Sequence, residues 1–182
     1  LSGGIDSAVV ASILVDSLGA ENVLAINMPS IFNSELTKSA AKKLAENLGI
    51  SYKVASIQES VDLTVKQLKS IGLDVSDFVI ENIQARDRGS RLLAGISASW
   101  EGVFVNNGNK TETALGYCTL YGDVDGAVAP IADLYKGQVY ELAEYINKVK
   151  ETEIIPEEVI KVVPSAELSK EQDVTVGKGD PM

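Results

Sequence analysis

The sequence predicts an α/β fold, a parallel sheet flanked by helices on both faces. Three observations point to it. Short apolar runs of strand length alternate with longer segments of helical periodicity. Ser, Gly and Pro punctuate the switches between them. A glycine-rich loop opens directly into a helix, as anion-binding loops of α/β folds do.

Residues 7–18 are rich in Ala, Val, Leu and Ile and stop at Gly19, a good residue just past a helix end. Residues 23–28 are a short apolar run ending at Pro29, which suits a buried strand. Residues 34–48 carry Leu36, Ala40, Ala41, Leu44, Ala45 and Leu48 at helical spacing, between a Ser34 cap and Gly49. Residues 52–55 predict a second strand. In residues 57–71, Val61, Val65, Leu68 and Ile71 mark an amphipathic helix. Residues 77–99 predict one long helix, bent at Gly89 or Gly95. Residues 102–105 predict a third strand and residues 135–147 a last strong helix. Strands separated by helices imply βαβ units, hence the parallel sheet.

Residues 1–150 form the expected core. Residues 151–182, with Pro156, Pro164 and Pro181, read as a loop-rich tail or active-site flap of the same domain. The chain starts on the glycine loop, so the strand expected to precede that loop lies outside it.

Composition narrows the chemistry. The length of 182 residues suffices for one domain with a full core. A single cysteine, Cys118, excludes an internal disulfide framework and fits a reducing compartment. No apolar run approaches the roughly 20 residues that span a bilayer, and no stretch reads as a secretory signal. The expected location is the cytoplasm. The net charge of −10 argues against nonspecific nucleic-acid binding. There is no histidine, which removes imidazole acid–base chemistry, Ser-His-Asp triads and histidine metal sites. Catalysis is left to carboxylates, lysine, hydroxyls, backbone amides or an oxygen-ligated metal.

Ser2-Gly3-Gly4-Ile5-Asp6-Ser7 opens a helix. Its glycines allow close backbone approach to a ligand, and free amides at a helix start attract anions. Asp6 would repel phosphate directly, but makes sense as a Mg²⁺ ligand, because Mg²⁺ takes carboxylate and phosphate oxygens together. The loop lacks the Gly-Lys-Ser/Thr ending of a Walker A motif and is not a dinucleotide GxGxxG pattern. The bland alternative is a strand-to-helix turn with a polar cap.

A second constellation follows the expected third strand. Asn107-Gly108-Asn109-Lys110-Thr111-Glu112 precedes Gly116-Tyr117-Cys118-Thr119-Leu120-Tyr121-Gly122-Asp123, and then Ala129-Pro130-Ile131-Ala132-Asp133-Leu134-Tyr135-Lys136. Asn82-Ile83-Gln84-Ala85-Arg86-Asp87-Arg88 lies upstream and Pro164-Ser165-Ala166-Glu167-Leu168 downstream. On residue type alone, Glu112 is equally a solvated carboxylate and Asp123 part of a flexible or Ca²⁺-binding loop. The bland alternative for Lys136 is a helix-surface lysine, and for Arg86 and Arg88 pairing with Glu81 or Asp87 on the helix. Cys118 reads as small buried filler.

The glycine loop resembles the PP-loop of the adenine-nucleotide alpha-hydrolase-like superfamily, Rossmann-like enzymes that cleave ATP between its α- and β-phosphates. The wider set of motifs, over nearly the whole chain, resembles NAD⁺ synthetases, and the tail resembles the glutamine-dependent ones. The resemblance implies amidation of nicotinic acid adenine dinucleotide to NAD⁺ with ammonia, through an adenylated intermediate, at the expense of ATP. It implies that Ser2, Gly3, Gly4, Asp6 and Ser7 surround the ATP phosphates and that Asp6 and Glu112 hold Mg²⁺. Lys136 and Ser165 would contact phosphates, Asn27 and Met28 would face the adenosine, and Asn107 would lie beside ATP. Asp123 and Lys136 would be catalytic, and Arg86, Lys110 and Asp123 would bind the dinucleotide. It further implies a homodimer joined through the long helix, and a glutaminase domain or subunit not in this chain. The family has threonine where this chain has Asn107, which alters one hydroxyl contact. Rival readings are another PP-loop ligase and an ATP-holding sensor that does not turn its ligand over.

Overall fold

A computed structural model of the protein describes residues 1–179; Pro181, with the end of the expected tail, lies outside the described residues. Helix α1 (Ile5–Leu18) buries Ile5, Ala8, Val9, Val10 and Ala11, so its first half is enclosed almost all round. Strand β1 (Leu24–Asn27) pairs in parallel with β2 (Ser51–Val54), Leu24 opposite Ser51 and Asn27 opposite Val54. The crossover between them is α2 (Glu35–Leu48). Ser34 caps it by accepting from the Thr37 N–H at 3.3 Å, and Gly49 ends it with φ of +68°. This β1–α2–β2 unit is the parallel sheet with flanking helices that the alternation predicts.

Helix α3 (Gln58–Ser70) follows, then α4 (Asp77–Arg86). The expected helix over 77–99 is continuous in path but changes pitch. Residues Asp87–Leu93 form a π-helical stretch before α5 (Ala94–Ser99). Gly89, one of the two expected bend points, lies inside that stretch. Such stretches recur at functional sites.

The third expected strand does not form. Around residues 102–105, the Phe104 carbonyl accepts from Ala127 N–H at 2.9 Å, and Asn106 N–H donates to the Val128 carbonyl at 2.9 Å. The neighbour is a loop, so two bonds replace a ladder, and Val103 stays 68% exposed. Apolar residues favour extended backbone, but only a paired neighbour makes it a strand.

Short helix α6 (Lys110–Leu115) begins where the sequence shows only a turn, and the long α7 (Lys136–Lys150) and the short α8 (Glu157–Lys161) follow. Ile5 and Val9 of α1, Leu44 of α2, Val139 and Ala143 of α7, Ile131 from the loop before α7, and Ile155 and Val159 form one core. The start of the tail is therefore part of that core. Leu44 is fully buried, and truncating such a leucine to alanine costs about 2–5 kcal/mol.

Candidate active site

The glycine loop is folded by its own residues. At Gly3 φ is +97°, and a Cβ there would lie 2.1 Å from the Thr37 carbonyl oxygen, so only glycine fits. The loop thereby lies against the first turn of α2. The Ser2 and Ser7 hydroxyls are 3.1 Å apart; Ser7 also donates to the Gly4 carbonyl at 3.1 Å, and Gly4 N–H donates to Ser2 Oγ at 3.2 Å. Gly4 is the N-cap of α1 and supplies no side-chain acceptor, which leaves first-turn amides and the positive end of the helix for an anion.

Asp6 sits in that first turn. Its Oδ1 accepts from Asn109 Nδ2 at 2.9 Å, and its Oδ2 pairs with the Lys136 ammonium. Asn109 is fully buried and caps α6 in a reciprocal box. Glu112 N–H donates to Asn109 Oδ1 at 3.0 Å, and Asn109 N–H donates to Glu112 Oε2 at 3.0 Å. The other Glu112 oxygen, Oε1, lies 3.6 Å from Lys136 Nζ. Lys136 opens α7, and its N–H donates to Thr111 Oγ1 at 2.9 Å, tying the starts of α6 and α7 together.

Burial and then the Asp6 charge push Glu112 above the ordinary carboxylate range, against the pull of Asn109 and Lys136. Burial alone would lower Lys136, but the Asp6 charge and hydrogen bond, with Glu112, hold it above its ordinary value. A cation in the first turn of a helix opposes the helix dipole, so Lys136 is held there by those carboxylates.

The cluster opens on a cavity of about 300 Å³, the lower end of the size range of small-molecule sites. Among the expected site residues, Ser2, Gly4, Asp6, Ser7, Asn27, Met28, Asn107, Glu112, Asp123, Lys136 and Ser165 line it. Gly3 stands behind it, against Thr37. Ser165 already donates its hydroxyl to the Gln172 carbonyl at 2.7 Å. Asp123 keeps solvent access as a residue, while crowding of its carboxyl by the surrounding chain pushes its pKa up, opposed by backbone N–H donors including that of Thr119.

Besides Gly3, two expected residues are not brought to the cavity. Arg86 is exposed and donates to the Leu120 carbonyl at 3.3 Å. Lys110 is exposed, with its ammonium 4.7 Å from the Tyr135 ring centre. The arginine that lines the cavity is Arg88, which donates to the Met28 carbonyl at 3.0 Å and to Asn33 Oδ1 at 3.3 Å. Burial pushes it down to about 10, against the pull of Asp87, Asp123 and Glu167. Helical spacing carried the signal, because Arg88 shares a face with buried Gln84 and Ala85, whereas Arg86 points elsewhere.

Sequence reasoning also missed Asn109 and Glu167. Asn109-x-x-Glu112 is a readable capping box. Glu167 is buried, accepts from Thr37 Oγ1 at 2.6 Å and from Ser34 N–H at 3.2 Å, and so pins the tail to the start of α2.

Among the described residues no group of three or more acidic or cysteine side chains is arranged around a metal position. Asp6 and Glu112 alone suit Mg²⁺ nonetheless, because that ion commonly takes one or two carboxylates with waters and substrate phosphates. Asp6 Oδ2 and Glu112 Oε1 already converge on one positive group.

A family model described as NAD synthase matches residues 1–176. A glutamine-dependent NAD(+) synthetase of Acinetobacter baylyi is 43% identical over 94% of this chain and 32% of its own length. The structure of a glutamine-dependent NAD+ synthetase from Acinetobacter baumannii in complex with ADP superposes with a TM-score of 0.85 at 41% identity, over 92% of this chain and 32% of that one. An NMN synthetase from Francisella tularensis gives 0.83 at 30% identity, over 94% of this chain and 67% of that one. The chain spans about a third of the length of the curated relatives it matches.

Proposed function

The chain belongs to the NAD synthase family, and on that premise we propose that it is the ATP-using part of an enzyme that amidates nicotinic acid adenine dinucleotide to NAD⁺. The observation that carries this reading is the meeting of Asp6, Asn109, Glu112 and Lys136 beside an uncapped helix start, at the edge of a cavity. An anion-binding loop, a pair of carboxylates and a cation in one place suit the departure of pyrophosphate.

The nicotinate carboxylate attacks the α-phosphorus of ATP, the bond to the β-phosphate oxygen breaks, and pyrophosphate leaves. Ammonia then attacks the acyl carbon, AMP departs, and the nitrogen loses a proton. The amides at the start of α1, with Ser2 and Ser7, cradle the pyrophosphate, and Lys136 and Ser165 add donors. Asp6 and Glu112 would hold Mg²⁺, which would neutralise phosphate charge. Asn27 and Met28 would face the adenosine, with Asn107 beside ATP and Arg88 fixing the cavity wall. Asp123, with its raised pKa, would orient ammonia and take its proton. Positioning can supply about 7–11 kcal/mol of such a barrier, and a chain without histidine can provide it.

Glutamine is the proposed nitrogen source, through a glutaminase domain or subunit, as the names of the curated relatives suggest. The working form would be a cytoplasmic homodimer. Its interface would bring the outward-facing Arg86 and Lys110 to the dinucleotide. No helix among the described residues is long and apolar enough to cross a membrane. The likeness to an NMN synthetase favours a second reading, amidation of the corresponding mononucleotide. The decisive measurement is AMP and pyrophosphate release with ammonia, comparing the dinucleotide acid, the mononucleotide acid and neither. Release that depends on the dinucleotide supports the proposal. Dependence on the mononucleotide supports the second reading, and release with neither overturns both.

A further inference from the structure

Each carboxylate of the Asp6–Glu112 pair has one oxygen held by Asn109. Asp6 Oδ1 takes the Asn109 side-chain amide at 2.9 Å, and Glu112 Oε2 takes the Asn109 backbone N–H at 3.0 Å. The two remaining oxygens, Asp6 Oδ2 and Glu112 Oε1, both face the Lys136 ammonium. One buried asparagine therefore aims two carboxylates from distant parts of the chain at a single point, and a lysine fills that point. The Lys136 side chain is 18% exposed and sits at the cavity wall, with room on one side.

We propose that Lys136 occupies the divalent-cation position in the nucleotide-free protein, so that the ion is admitted together with nucleotide phosphates and not before them. This rests on the metal role proposed above for Asp6 and Glu112. An ammonium between two carboxylates balances much of their charge, and a second cation added beside it meets a like charge at contact distance. Phosphate oxygens in the glycine loop give the ammonium another anionic partner. Its stem of four rotatable carbons lets it swing toward them from a fixed Cα at the start of α7. The same swing frees Asp6 Oδ2 and Glu112 Oε1, already oriented by Asn109. Lys136 would in this way make metal binding conditional on nucleotide and keep the pyrophosphate site from filling with metal alone.

The test uses Mn²⁺ as the probe, with binding followed by its electron paramagnetic resonance signal in the whole protein without nucleotide. Wild type should bind Mn²⁺ weakly, and more tightly once a non-hydrolysable ATP analogue is present. Lys136→Met should bind Mn²⁺ about tenfold more tightly than wild type without nucleotide, the effect of one lost competing contact. Asp6→Asn added to Lys136→Met should remove that gain, which places the ion. Lys136→Gln carries the same expectation, so a folding defect in the methionine variant, seen by circular dichroism, leaves the question answerable. Mn²⁺ binding by the Lys136 variants no tighter than wild type overturns the proposal, as does a tight site that survives Asp6→Asn. No turnover enters these measurements. Absence of pyrophosphate release in wild type would defeat the proposed reaction and leave the Mn²⁺ result standing.

Discussion

The side-chain amide of Asn109 donates to Asp6 Oδ1 at 2.9 Å, joining positions 103 residues apart in the chain. Asn109 can do this because its Oδ1 is already engaged as the cap of α6, which fixes its side chain and turns its NH₂ toward α1. The start of one helix thereby orients a carboxylate in the first turn of another. Local capping chemistry has become the geometry of a site between two distant segments.

Asp6→Asn should separate the site's chemistry from its folding. The variant keeps the size of the side chain but cannot balance Lys136, which retains only Glu112 at 3.6 Å. We expect a loss of about 1.5–3 kcal/mol, the scale of a charge-assisted hydrogen bond, with the fold intact. Mg²⁺-dependent pyrophosphate release should fall by about a hundredfold or more, the scale of removing an electrostatic stabiliser from a site. The bland alternative treats Asp6 as a helix cap, where asparagine serves about as well. The cap position is held by Gly4 instead. Thermal melting and pyrophosphate release on the same purified variant decide it, and unchanged turnover would remove Asp6 from the proposed metal site.

Asp87 supplies a pH prediction. Burial alone would raise its carboxyl, but hydrogen bonds from Arg91 and Ser60, with the charges of Arg91 and Arg88, hold it below the usual 3.8. Arg91 donates at 2.6 and 2.7 Å and Ser60 at 2.6 Å, so the π-helical stretch is tied to α3 through this group. A depressed pKa in the folded state means that the contribution is full above the unfolded value. It is lost as pH falls through the lower folded value. Asp87→Asn should therefore lower stability at neutral pH and make the fall in stability below pH 3.8 shallower. Chemical denaturation at a series of pH values checks it. Parallel curves for variant and wild type would show that Asp87 carries no linked proton.

The parts legible in sequence are those governed by local rules. The β1–α2–β2 unit could be read to within about a residue because Ser34 and Gly49 impose the ends of α2 whatever surrounds it. The glycine loop was legible because Gly3 satisfies a backbone requirement that few other residues meet. Residues 102–105 misled because a strand is a property of two segments, and apolarity reports on only one. Arg86 lies away from the cavity for a related reason. Its motif gave the residue type, but the face of the helix decides whether an arginine reaches the cavity, and the face belongs to Arg88. Nothing in the sequence near Glu167 tells that its carboxylate finds Thr37, 130 residues away.

Gly89 gives the sharpest opposition between a local and a tertiary expectation. It lies within a helical stretch, where replacing glycine by alanine ordinarily stabilises by about 1 kcal/mol. Its neighbour across the fold reverses that sign. A Cβ at Gly89 would lie 2.2 Å from the Gly122 carbonyl oxygen, a backbone atom that cannot swing aside like a side-chain tip. A Cβ at Gly122 would in turn lie 3.0 Å from Ala85. The two glycines thus let the loop that carries Asp123 lie directly on the helix that carries Arg88. Gly89→Ala must move that loop outward, at a cost of about 1–3 kcal/mol for overpacking, which exceeds the propensity gain. The site should suffer more than the fold, because Asp123 is the next residue along from the displaced carbonyl. ATP binding, which on the proposed reading rests on the glycine loop and Lys136, should be nearly unchanged. Amide formation from ammonia should fall by about tenfold or more, since a misplacement of about 1 Å can cost a hundredfold. Melting, nucleotide affinity and turnover measured together test this. A Gly89→Ala protein that is more stable than wild type and equally active would show that the loop has slack the packing does not reveal.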